Sequence, residues 1–363
     1  MPQRCWIRTD ASVIMGAGHV ARCLTLANAL RCNGFDVDFI CRAHEGNLNN
    51  LISSNGFLVH QLPRLLSTSN VETPRHHGIN YPDWLGVSQE KDADETIAAL
   101  GGTRTDWIIV DHYGLDHQWE TKMREHTLRI LVIDDLANRF HDCDILLDQN
   151  LYSDQYERYR NLTISPCEKL LGPEYALLHP SFRAMRKQHI SRTGPAKRIL
   201  VSFGGADITN ATALVLEALS DPPLSGLALD VVIGITNPHR NHLENIVNSR
   251  KNATLHIQTQ NMATLMSHAD LSIGAGGTTI WERLCLNLFT FTIATAPNQI
   301  LPLEELRKRN LINHLGSLAT VDPVIIKREL DIFLHQSSHQ QTEFNTNLVD
   351  GLGVHRTLAT ILQ

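Results

Sequence analysis

RTDASVIMGAGHVARCLTLANAL, residues 8–30, is the stretch that decides the fold. A short apolar strand at 5–7 leads into a loop carrying Gly16-Ala17-Gly18, and the loop opens a helix with Val20, Leu24, Ala27 and Leu30 on one face. Gly34 stands where a terminating glycine is expected. Strand, glycine loop and helix together begin an α/β unit. Two glycines let the backbone come close to a ligand, and the unpaired N–H groups of a first helical turn favour an anion. The first side chain beyond them is His19, a base with an ordinary pKa of about 6.5. Gly16, Gly18 and Ala21 also satisfy G-x-G-x-x-A, with Asp36 or Asp38 about 20 residues on, as in a dinucleotide fingerprint. Residues 10–15 separate the strand from the glycines, whereas that fingerprint begins as the strand ends. A tight turn with an exposed histidine is the remaining reading.

The alternation continues outward. Strands are predicted at 35–40, 58–62, 107–110 and 130–133, with helices at 47–55 and 88–100. The last two strands run into Asp111-His112-Tyr113 and Asp134-Asp135, as an open parallel sheet does at the carboxyl edge where ligands bind. Residues 64–88 are irregular and rich in Pro, His, Ser and Asn, and a loop of that length is expected to be functional or mobile. The pattern lapses over 149–195, around Gly172-Pro173, His179-Pro180 and a basic run at 183–198, which reads as an interdomain connection. A second series follows, with strands at 199–203, 229–233, 254–257, 271–273 and 289–293 and helices at 210–219, 262–268, 278–286 and 301–309. The expected fold is α/β, two doubly wound, Rossmann-like domains facing each other across a cleft. Their bounds are 1–190 and 195–340, with a helix in 341–363 packing back. A length of 363 residues exceeds the usual single core and agrees with two domains.

Charge and cysteine content narrow the function. Lys and Arg number 32 against 38 Asp and Glu, a net charge of −6, which argues against nucleic-acid and anionic-membrane partners. Phosphate binding must then be local. Cysteines at 5, 23, 32, 41, 143, 167 and 285 are odd in number and form no C-x-x-C pair. They read as unpaired thiols in a reducing compartment, not as a disulfide framework or a structural zinc site. The chain enters its first strand without a signal-peptide pattern, and no run of about 18 apolar residues occurs. The expected location is the cytoplasm.

Four further motifs carry chemistry. Ser202-Phe203-Gly204-Gly205-Ala206-Asp207 joins a strand to a helix that Asp207 or Thr209 would cap. Gly274-Ala275-Gly276-Gly277-Thr278-Thr279-Ile280-Trp281-Glu282 brings three glycines, two hydroxyls and a helix start to a second anion site. Glu282 sits one turn into that helix, within reach of sugar hydroxyls or simply as a favourable first-turn charge. Asn298-Gln299 follows a strand and Pro297, as ligand amides or as a helix cap with a solvated glutamine. The clusters Asp111-His112 and Asp134-Asp135 lack metal-ligand spacing and read as strand-end caps or hydroxyl contacts.

Taken together, the motifs resemble one family, the UDP-sugar hydrolases of pseudaminic acid biosynthesis, relatives of the GT-B glycosyltransferases. The resemblance rests on the opening stretch with WLGVSQEKDADET, VDHYGLDHQWE, VIDDLANRFHDCDILLDQN, LLGPEYALLHPSF, SFGGAD and GAGGTTIWERL, followed by Asn298-Gln299. Met15-Gly16-Ala17 stands where members commonly show Ile-Gly-Thr. The resemblance implies hydrolysis of UDP-2,4-diacetamido-2,4,6-trideoxy-β-L-altropyranose to UDP and the free sugar. Water would attack the anomeric carbon with inversion, His19 acting as general base. It implies UDP contacts from Gly204, Gly205, Gly276, Gly277, Thr278, Thr279 and Glu282. Sugar contacts would come from among Arg8, Asp10, Gly16, Gly18, Arg22, Tyr81, Asp111, Asn298 and Gln299. No cofactor and no metal is expected, since UDP is a good leaving group that backbone amides can stabilise. The expected partner is the nucleotide sugar alone, with a monomer a plausible state. A UDP-sugar-dependent transferase acting on an acceptor hydroxyl, and a non-catalytic nucleotide-sugar binder, are the competing functions.

Overall fold

The computed structural model describes residues 2–64, 81–188, 192, 194–335 and 348–363, so all but the first residue of the segment 64–80 lies outside the described residues. The chain forms two compact units. The first holds Met1–Asn150, Asp154–Leu177 and Val354–Gln363, and the second Leu151–Ser153 and Leu178–Gly353.

Seven parallel strands make the first unit: β1 Arg4–Thr9, β2 Asp36–Arg42, β3 Leu58–Leu62, β4 Thr105–Asp111, β5 Thr127–Ile133, β6 Ile145–Asp148 and β7 Glu168–Leu171. Their order is β3-β2-β1-β4-β5-β6-β7. The central strands are apolar on both faces, as a sheet covered by helices on either side requires. Period-two alternation divides them between two cores. Ile7, Phe39 and Ile109 pack with Leu26 and Leu30 of the helix Gly18–Cys32. Trp6, Ile40 and Ile108 pack on the other face, with Ala93 of the helix Gln89–Leu100 and Trp119 of the helix His117–Met123. Strand order reverses between β1 and β4, the switch point of a doubly wound sheet.

Six parallel strands make the second unit: β8 Arg198–Ser202, β9 Ala228–Ile233, β10 Ala253–Ile257, β11 Leu271–Gly274, β12 Phe289–Ala294 and β13 Asn313–Ser317, in the order β10-β9-β8-β11-β12-β13. Ile199, Val201, Leu229, Val231 and Phe291 centre its core.

Three strands depart from the expectation. β6 ends just before the stretch read as a connection and β7 lies within it, and each has four residues, too few to show a period. β13, with the sequence NHLGS, is a half-buried edge strand without an apolar run. The first unit also ends earlier than residue 190. The helix Pro180–Arg186 packs on the helices Met262–His268 and Thr279–Cys285, and Arg186 donates to the Cys285 carbonyl at 2.6 Å. Arg192 donates to the carbonyls of Met266, Ala269 and Leu286. The basic run therefore staples the second unit. At the C-terminus the helix Gly353–Ile361 places Val354, Leu358 and Ile361 in the first unit's core, and Arg356 donates to the Glu174 carbonyl at 2.8 Å. Among the described residues, no helix is long and apolar enough to cross a membrane.

Candidate active site

The loop after β1 closes on itself before the helix begins. Gly16 N–H donates to the Ser12 carbonyl at 2.9 Å and Met15 N–H to Ser12 Oγ at 3.0 Å. Gly16 adopts φ +74°, a conformation that costs a residue with a Cβ. The helix starts at Gly18, which places His19 in its first turn above the carboxyl ends of β1 and β4.

His19 Nδ1 lies 2.6 Å from Asp111 Oδ1, at the last residue of β4. Arg22, one turn along the same helix, donates Nη2 to Asp111 Oδ1 and Nε to Oδ2, both at 2.6 Å. Asp111 is fully buried. Burial works against its charge, but Arg22 and then His19 outweigh it and hold the carboxyl well below the usual range. A carboxylate against Nδ1 fixes the proton on that nitrogen and leaves Nε2 as the basic one. His112, next in sequence, is no rival base. Its Nδ1 accepts the Gly114 N–H at 3.0 Å, and burial pushes its pKa down to about 3.

An aromatic wall stands beside His19. The Tyr113 ring meets the imidazole edge-on at 4.6 Å, and its hydroxyl donates to Asp135. Trp84 stacks on Tyr113 at 5.6 Å, and Tyr81 lies 5.0 Å from Trp84 and 5.1 Å from Tyr113. The sequence motifs point to Tyr81 as a sugar contact but not to Trp84 or Tyr113. The signal for Tyr113 was its place directly after the strand-end Asp-His.

Four residues expected to touch a sugar, Arg8, Asp10, Arg22 and Asp111, have other work. Arg8 donates to Asp10 at 2.6 and 2.9 Å and to Asp92 at 3.1 and 2.7 Å. Asp10 also accepts the Arg42 N–H at 2.7 Å, and Asp92 accepts Arg42 Nη2 at 2.6 Å and Trp119 Nε1 at 3.0 Å. These groups are all buried, and they tie the helix Gln89–Leu100 to β1 and β2. Arg8 and Asp10 are thus saturated by protein partners, and Asp111 by His19 and Arg22. Arg22 is itself 3% exposed, with Nη1 3.5 Å from Asp135 Oδ2. A polar strand end looks the same in sequence whether it meets a ligand or an ion pair.

In the second unit β8, β11 and β12 are neighbours, so the loops carrying Gly204-Gly205, Gly274–Thr278 and Thr295–Gln299 leave one sheet edge side by side. A Cβ added to Gly276 would come within 2.6 Å of the Leu303 side chain, so only glycine fits there undisturbed. Gln299, expected to face a ligand, braces this loop instead. Its Oε1 accepts from Gly276 N–H at 3.3 Å, Thr295 N–H at 3.0 Å and Thr295 Oγ1 at 3.2 Å. Arg283 supports it from below, donating to the Ala275 carbonyl at 2.8 Å and Thr279 Oγ1 at 2.9 Å. The N–H groups of Gly277, Thr278 and Thr279 open the helix Thr279–Cys285, where the first turn offers no carbonyl partner. Glu282 Oε2 is shut off from solvent with no hydrogen-bond partner among the described residues, and burial raises its carboxyl to about 7. Asp207 caps the helix Ala211–Ala218 through Ala211 and Thr212 N–H, both at 2.9 Å. Asn298 is half-buried just before Gln299.

No protein-family model matches the chain. It is 27% identical over 293 residues to the UDP-2,4-diacetamido-2,4,6-trideoxy-β-L-altropyranose hydrolase of Campylobacter jejuni, covering 80% of this chain and 92% of that one. It is also 27% identical over 293 residues to an uncharacterised protein of Methanocaldococcus jannaschii, covering 78% of this chain and 54% of that one, so it spans about half that relative's length. Among solved structures it is similar to MurG of Acinetobacter baumannii, with a TM-score of 0.64 at 12% identity over 99% of both chains. The two parallel α/β sheets are those of the GT-B glycosyltransferase fold, as the opening motifs lead one to expect.

Proposed function

We propose that this chain is a nucleotide-sugar hydrolase that cleaves UDP-2,4-diacetamido-2,4,6-trideoxy-β-L-altropyranose to UDP and the free sugar. The observation that carries the reading is the 2.6 Å contact between His19 Nδ1 and Asp111. It leaves Nε2 free to take a proton from water as the water attacks the anomeric carbon, opposite the departing UDP, with inversion. The second unit binds UDP. Backbone N–H groups at Gly277, Thr278 and Thr279, with Gly204 and Gly205, meet the phosphates, Gly276 letting the loop approach them closely, and their fixed dipoles stabilise charge developing on the leaving group. Glu282, one turn into the same helix, accepts from ribose hydroxyls. Tyr81 and Asn298 contact the sugar. The similarity to the Campylobacter hydrolase supports the choice of substrate.

The test is His19→Ala assayed with this UDP-sugar. Turnover falls by about 10²–10⁴-fold, the usual worth of a general base, while UDP binds as before. Near-normal turnover in the variant refutes the role of His19. A glycosyltransferase using the same base would be nearly idle without an acceptor hydroxyl, which separates it from the hydrolase in the same assay.

A further inference from the structure

Cys143 and Cys167 differ from the other five cysteines. Their sulfurs lie 3.5 Å apart, just ahead of β6 and β7, which pair in parallel. Cys143 is buried and Cys167 partly exposed, whereas Cys5, Cys23, Cys41 and Cys285 are buried and Cys32 is exposed. Both flanks are pinned. Glu168 N–H donates to the Asp144 carbonyl at 2.9 Å, and Asp142 accepts from Thr121, Arg124 and Ser165. Asp144 accepts Arg124 Nη1 and the Ile130 N–H, both at 2.6 Å. The two sulfurs are therefore held together by the fold. The two sulfurs are in hydrogen-bond contact, and the neighbouring Cys143 thiol lowers the Cys167 pKa from its ordinary value. The more accessible sulfur is thus the better thiolate, and the thiolate is the reactive form.

We propose that Cys143 and Cys167 form a reversible redox site, oxidised to a disulfide by a peroxide. The Cys167 thiolate attacks one oxygen of hydrogen peroxide, breaking the O–O bond. It becomes a sulfenic acid, and the departing hydroxide takes up a proton as water. The Cys143 sulfur then attacks the Cys167 sulfur, loses its proton and displaces a second water. Two thiols and one peroxide give one disulfide and two waters, and the two electrons lost by sulfur reduce the peroxide. A dithiol reductant restores both thiols. Closure requires a movement of about 1.5 Å, from the present 3.5 Å to a bond of about 2.05 Å. An accessible thiolate beside a resolving thiol is the arrangement that favours a reversible disulfide over further oxidation.

The test is peptide mapping of the full chain after exposure to hydrogen peroxide, with remaining thiols alkylated. The proposal predicts a peptide linked through Cys143 and Cys167, lost on treatment with dithiothreitol. In Cys143→Ser, Cys167 accumulates a sulfenic acid that dimedone traps, and in Cys167→Ser, oxidation of Cys143 slows at least tenfold. Wild-type mapping alone decides the matter if a variant fails to fold. Cys143 and Cys167 recovered unlinked, or Cys167 recovered as sulfinic acid in the wild type, overturns the proposal.

Discussion

His19 and Asp111 are 92 residues apart in the chain and 2.6 Å apart in the fold, joined Nδ1 to Oδ1 across the switch point of the first sheet. Thr9 of β1 pairs with Asp111 of β4, so the helix that follows β1 sets its first turn over the end of its neighbour. Asp111 is also the anchor of Arg22, and the three side chains form one unit.

Replacing Asp111 by Asn keeps an acceptor but removes the charge that selects the His19 tautomer and opposes Arg22. The expected result is a loss in kcat on the order of 10²–10⁴-fold with little change in UDP affinity. Steady-state kinetics and calorimetric titration with UDP check it. Wild-type kcat in a folded Asp111→Asn protein would contradict the dyad.

Asp92 receives Arg8 and Arg42, all three side chains being buried. Asp92→Asn removes the carboxylate that two buried guanidinium groups share, leaving Asp10 on Arg8 and Glu95 on Arg42, and is expected to cost about 3 kcal/mol, the low end for a broken buried pair. Urea unfolding measures this. A stable variant with only a raised KM would mean that the cluster serves the ligand instead of the fold.

Gly276→Ala drives a methyl group into Leu303 and forces the loop to shift. Overpacking of this kind costs about 1–3 kcal/mol. Here the shift moves the N–H groups of Gly277 and Thr278, so UDP affinity is expected to fall further than kcat. Calorimetric titration with UDP checks it, and wild-type UDP affinity in a folded Gly276→Ala protein would argue that the loop does not bind the nucleotide.

His141 provides a pH test of the first unit. Burial opposes its charge, but Asp134 and Glu120, the latter 2.8 Å away, outweigh burial and raise its pKa to about 9. A raised histidine pKa favours the folded state fully below the unfolded value of about 6.5, and the benefit disappears as pH rises through the folded value. Stability should therefore decline between about pH 6.5 and 9, by on the order of 3 kcal/mol. His141→Asn should flatten that segment of the urea-midpoint profile. A wild-type profile that stays level or rises there contradicts the assignment.

Much of this architecture was legible in the chain, and the gaps have physical causes. The apolar strands around Ile7, Ile109, Val201 and Phe291 are long enough to announce themselves, and glycine runs mark Gly16–His19 and Gly274–Thr278 as close-approach loops. His19 is conspicuous as the first side chain past its glycines. Asp111 was noticed, but its partnership with His19 depends on β1 lying beside β4, a fact of strand order that local sequence does not carry. Arg8 and Asp10 look like strand-end ligands until Asp92 and Arg42 are found beneath them. Gln299 follows a turn as a ligand amide would, and only the distance to Gly276 reveals a brace. β6 and β7 are too short to show a period, and the polar β13 has no apolar signal.

The most direct measurement of the central claim is turnover of the UDP-sugar in oxygen-18 water. If His19 activates water at the anomeric carbon, the label appears at C1 of the released sugar, the first-formed anomer is inverted, and UDP carries no label. Label in the β-phosphate of UDP, or no sugar release until an acceptor hydroxyl is added, would contradict it.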